Sequence, residues 1–93
     1  MGARLDEAMA KYEEARGIKV KAYGQNHASV ANMLYNMAAL LETQGKLEDA
    51  LTKFKEALRI DTEVYGQGHA KVVDAHTRVE AVLRAQGKPG ELV

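Results

Sequence analysis

The eight residues Tyr23-Gly24-Gln25-Asn26-His27-Ala28-Ser29-Val30 return 42 positions later as Tyr65-Gly66-Gln67-Gly68-His69-Ala70-Lys71-Val72. The same shift pairs Leu5 with Leu47, Ala8 with Ala50, Lys11 with Lys53, Tyr12 with Phe54 and Glu14 with Glu56. It also pairs Ala15 with Ala57, Ile18 with Ile60, and Gln44-Gly45-Lys46 with Gln86-Gly87-Lys88. About a third of the superposed positions are identical along the whole overlap, which marks an internal duplication. A chain of 93 residues is too short for two independent cores, so the copies must bury themselves against each other.

Each copy reads as two helices. Leu47, Ala50, Leu51, Phe54, Ala57, Leu58 and Ile60 recur mostly at three- and four-residue steps, one stripe of a helix. Glu48 and Asp49 stand in its first turn, where the helix dipole favours negative charge, and Gly66 offers a left-handed stop. Val30, Leu34, Met37, Ala38 and Leu41 make a second stripe closed by Gly45, with Asn26 as the expected N-cap and Gly68 as its weaker counterpart. Helices are therefore expected near 4–22, 27–43, 47–64 and 69–86. Short connections make neighbours antiparallel, an all-α helix-hairpin solenoid. Gly17 falls inside the first helix, at a cost of about 1 kcal/mol without breaking it.

Composition removes several functions. Lys plus Arg and Asp plus Glu each number 13, so no basic footprint for nucleic acid or membrane is expected. The absence of cysteine removes disulfides and thiolate metal sites. No apolar run approaches the ~20 residues of a membrane span. Met1-Gly2 lacks the myristoylation context, since Asp6 stands where Ser or Thr is wanted. A cytoplasmic chain is expected. His69 and His76 lie two turns apart, about 10.5 Å, too far to share one metal ion unaided. His27 and His69 are explained by their equivalent places at helix starts, packing between the Tyr-bearing turn and the next helix. Glu13-Glu14 and Glu48-Asp49 read as solvated charge, and Gly87-Lys88 lacks the rest of a phosphate loop. No nucleophile or acid–base set survives, so neither enzyme activity nor a cofactor is expected. Met9, Met33 and Met37 are read as core filling, with Met33 at a groove edge.

These residues resemble a tetratricopeptide repeat. Leu34, Met37, Ala38 and Leu41 follow its helix-A pattern, and Ala50, Phe54 and Ala57 its helix-B pattern. The 42-residue shift exceeds the ~34 of the common form. Together with Tyr-Gly-x-x-His-x-x-Val, Asn36-Met37-Ala38 and Gln44-Gly45-Lys46, it is similar to the long-helix variety of kinesin light chains. Ala28 and Ala70 stand where that family usually has proline. The resemblance implies a scaffold whose A helices line a concave face that takes a peptide or helix of a partner protein. The positions implied are Asn32, Tyr35, Asn36, Ala39, Glu42 and Thr43, then Asp74, Thr77, Arg78, Ala81 and Arg84. Asn36 matches the family's peptide-holding Asn, whose amide can both donate to and accept from a peptide backbone. Arg78 replaces it in the second copy, and Arg78 and Arg84 suit an acidic partner.

The two ends differ. His76 and Glu80 replace Leu34 and Ala38 in the last helix, and Pro89-Gly90 replaces Leu47-Glu48, so 69–86 is expected to cap the stack and 87–93 to be a tail. Residues 4–22 read as helix B of a partial repeat and 27–64 as a full one. Ala8, Tyr12 and Ala15 then lack a preceding A helix. Two explanations remain open, a longer repeat array or a homodimer through this face.

Overall fold

The computed structural model describes residues 2–87, and within them every regular element is a helix. Helix α1 spans Gly2–Tyr23, α2 Ala28–Thr43, α3 Leu47–Tyr65 and α4 Ala70–Ala85. The bounds fall close to those read from the stripes, and α1 runs unbroken through Gly17. Pro89-Gly90 and the rest of the expected tail after Gly87 lie outside the described residues.

Packing is sequential: α1 lies on α2, α2 on α3, and α3 on α4. The result is a slab with extents of 34 × 32 × 16 Å. Its interior forms two adjoining clusters. One gathers Ala38, Leu41, Ala50, Leu51, Phe54, Val79, Val82 and Leu83. The other gathers Val30, Ala31, Leu34, Met37, Ala57 and Ile60, with Tyr12 and Val20 of α1 packed against it. Met9 and Tyr35 touch both. Small residues at Ala31, Ala38, Ala50 and Ala57, all fully buried, let the helices approach closely, while Phe54 and Leu34 fill the space between them. Met37 is buried as core filling, and Met33 is half-buried.

The helix starts correct one expectation. The N-caps are His27 and His69, not Asn26 and Gly68. Nδ1 of His27 accepts from the Ser29 N–H at 3.0 Å, and Nδ1 of His69 from the Lys71 N–H at 3.1 Å. Each imidazole also stacks on the preceding tyrosine: His27 on Tyr23 and His69 on Tyr65, both with ring centroids 4.5 Å apart. The ring stack holds the cap in place, and Asn26 is turned to accept from Arg59 Nη1 at 3.1 Å. One residue type thus closes the loop and caps the next helix.

The stops differ as well. At the end of α2, Gly45 N–H reaches Glu42 C=O and Lys46 N–H reaches Leu41 C=O, both at 2.9 Å, the paired bonds of a Schellman turn. Gly66 after α3 has φ 88° and ψ 158°, so it is not the left-handed residue expected. Its φ is positive but its ψ is extended, a region open essentially to glycine alone. The chain leaves α3 there and turns toward His69.

Candidate functional site

The A-type helices α2 and α4 both pack on α3, and between them is a groove of about 460 Å³. Asn32, Tyr35 and Asn36 line it from α2, Asp61 from α3, and Lys71, Asp74 and Arg78 from α4. Spacing explains the set. Asn32, Tyr35 and Asn36 fall at i, i+3 and i+4, and Lys71, Asp74 and Arg78 at i, i+3 and i+7, so each trio shares one helix face.

Tyr35 organises the floor. Its hydroxyl donates to Asp61 Oδ2 at 2.8 Å, and its ring lies 6.2 Å from that of Phe54, tying the groove to the core. Burial, reinforced by the hydrogen bond to Asp61 and that residue's charge, pushes the Tyr35 phenol well above its ordinary value of 10. Asp61 is only 3% exposed, the one buried charged residue among those described. The Arg78 guanidinium lies 5.8 Å from the Tyr35 ring centroid, a cation–π contact across the groove. Lys71 Nζ lies 5.4 Å from the Tyr65 centroid in the same way. The Asn32 and Asn36 amides are exposed, with no hydrogen bond to any described residue.

Five of the expected positions therefore meet at the groove: Asn32, Tyr35, Asn36, Asp74 and Arg78. Ala39, Glu42, Thr43, Thr77, Ala81 and Arg84 are exposed but do not line it. The Thr43 hydroxyl donates to Ala39 C=O at 3.0 Å and that of Thr77 to Val73 C=O at 3.2 Å, which commits both to their own helices. Arg84 is paired with Glu80 at 2.6 Å, so the charge at Glu80 is neither buried nor unpartnered. His76 is exposed beside it. Two groove residues escaped the sequence reading. Asp61 sits at the end of a helix-B stripe, where a charge reads as surface, and Lys71 lies in a first turn. The repeat carries a signal for Asp61, since its counterpart Lys19 has the opposite charge.

On α1 the positions expected to be open are half-buried. Ala8, Tyr12 and Ala15 all lose part of their surface, and Tyr12 packs under α2. A B-type helix can be covered by the A helix before it and the one after it, and α2 supplies the second. Ile18, like Tyr23 at the helix end, remains open; it is 62% exposed, whereas its counterpart Ile60 is fully buried.

Among the described residues no three His, Cys, Asp or Glu side chains gather as metal ligands would, and no helix is long and apolar enough to cross a membrane.

A search of curated proteins finds no match. The family model for the tetratricopeptide repeat matches residues 3–63 and again residues 29–91. Such repeats generally mediate protein–protein interaction and typically serve as non-catalytic scaffolds. With those two matches spanning nearly the whole sequence and its helices stacked in consecutive hairpins, the chain belongs to the tetratricopeptide repeat family.

Proposed function

We propose that the chain is a cytoplasmic interaction scaffold of the long-period, kinesin-light-chain-like variety, holding a peptide or helix of a partner protein in the groove between α2 and α4. The observation that carries this reading is the pair of unengaged amides, Asn32 and Asn36, one turn apart along the groove. A side-chain amide matches a peptide group donor for acceptor, so a row of them can hold a main chain without choosing its sequence. Around them, charged side chains from α3 and α4 supply the means of choice. The test is selection from a random peptide library on the whole chain, followed by titration of the enriched peptides against Asn36→Ala. Affinity should fall about tenfold, the cost of removing a peptide-holding hydrogen bond and stranding its partner. A library that yields no binder, or binders indifferent to Asn36→Ala, overturns the proposal.

A second reading is favoured by Ile18. An isoleucine open on α1 while its counterpart is sealed marks a face suited to association, and a symmetric dimer would cover it twice over. That reading needs no peptide ligand, so Asn36→Ala would leave it untouched.

A further inference from the structure

Neither carboxylate of the groove forms an ion pair with another described residue. Asp61 uses Oδ2 to accept from Tyr35, and Oδ1 has no hydrogen-bond partner among the described residues. As a residue Asp61 is almost wholly buried, at the groove floor. Asp74 faces the same space from α4 and is exposed. Asp61 and Asp74 therefore line one groove from two different helices. The two cations of the groove lie over aromatic rings, Arg78 over that of Tyr35 and Lys71 over that of Tyr65. No ion pair among the described residues includes Asp61, Asp74, Lys71 or Arg78.

We infer that the floor of the groove receives a basic side chain of the bound peptide, a lysine ammonium or an arginine guanidinium, between the carboxylates of Asp61 and Asp74. The inference rests on the peptide-groove reading above and adds the chemistry of the ligand. A carboxylate in a nearly buried residue with no cation paired to it gains from an incoming N–H⁺ group, where a neutral group offers less and an acidic one is repelled. The Asn32 amide oxygen at the rim is a further acceptor for the same cation. Arg78 and Lys71 line the same groove but lie over aromatic rings and pair with neither carboxylate.

The peptides enriched from the random library decide the matter. They should share a Lys or Arg at one position, and replacing it with Met should lower affinity about tenfold, the effect of losing one charge-assisted hydrogen bond. Asp74 is exposed, so Asp74→Asn leaves the fold in place. It should weaken the basic peptide about tenfold and leave the Met version unchanged. Asp61→Asn, checked for folding by circular dichroism, should show the same pattern. Enriched peptides that are acidic or neutral at the groove, or an equal loss from Asp74→Asn for both peptides, overturn this inference while leaving the scaffold reading standing. A library with no binder at all overturns both.

Discussion

The hydroxyl of Tyr35 and the carboxylate of Asp61 meet at 2.8 Å where α2 crosses α3, beneath the groove and against the core. Tyr35→Phe would keep the ring against Phe54 but leave Asp61 Oδ2 without its donor. The expected loss is about 1–3 kcal/mol, the cost of an unsatisfied buried acceptor, read as a lower midpoint in urea unfolding with an unchanged slope.

The same pair sets an alkaline limit. Burial and Asp61 hold the Tyr35 proton in the folded chain beyond the value of 10 at which an unfolded tyrosine releases it. Below that value the stabilisation is complete. As pH rises past it, the unfolded chain has lost a proton that the folded chain still keeps, so stability falls. Tyrosinate absorbance should show a late-titrating phenol that Tyr35→Phe removes, and the steep alkaline loss of stability should flatten in that variant. An unchanged titration curve would show that the phenol is not held.

His27 and His69 make equivalent caps, and removing either should expose an orphan backbone N–H. His27→Ala is expected to cost about 0.5–2 kcal/mol, the usual worth of an N-cap. His27→Asn should recover the capping part and still lack the stack on Tyr23. A thermal midpoint for His27→Ala equal to the parent's would remove the cap from the account.

Two glycines should respond in opposite directions. A methyl group at Gly17 meets open space, in ordinary helical backbone, so Gly17→Ala is expected to stabilise by about 0.5–1 kcal/mol. Gly66 also has room, but its φ of 88° with extended ψ strains any side chain. Gly66→Ala should destabilise by about 1–3 kcal/mol. Urea titrations of the two variants give the signs directly.

Should α1 mediate self-association, Ile18→Glu will abolish it. Sedimentation velocity over a range of concentrations should then show a mass rising toward a dimer for the parent and a monomer for the variant. A parent that stays monomeric throughout excludes the dimer.

Much of this architecture could be read beforehand because the chain states it twice. Leu34, Ala38, Ala50, Phe54, Ala57 and Ile60 are as deeply buried as their spacing requires. The groove was legible in part, since Asn32, Tyr35, Asn36, Asp74 and Arg78 follow from helix faces and the family pattern. What escaped depended on contacts between distant residues. Asp61 becomes a floor residue only because Tyr35, on another helix, reaches it. Histidine is not among the favoured N-caps, and its selection over Asn26 depends on a tyrosine ring four positions earlier. Tyr12 turned inward because one neighbouring helix suffices to shelter a side chain that long.

The sequential order of packing has a mechanical consequence. Because α1 rests chiefly on α2 and contributes no residue to the groove between α2 and α4, its loosening would uncover the core that Met9, Tyr12 and Val20 shelter while leaving the groove's own residues in place. Amide protons should therefore exchange fastest along α1 and slowest in α2 and α3, so that the groove outlasts the fraying of the outermost layer. A chain built in this way loosens from one edge and does not come apart all at once.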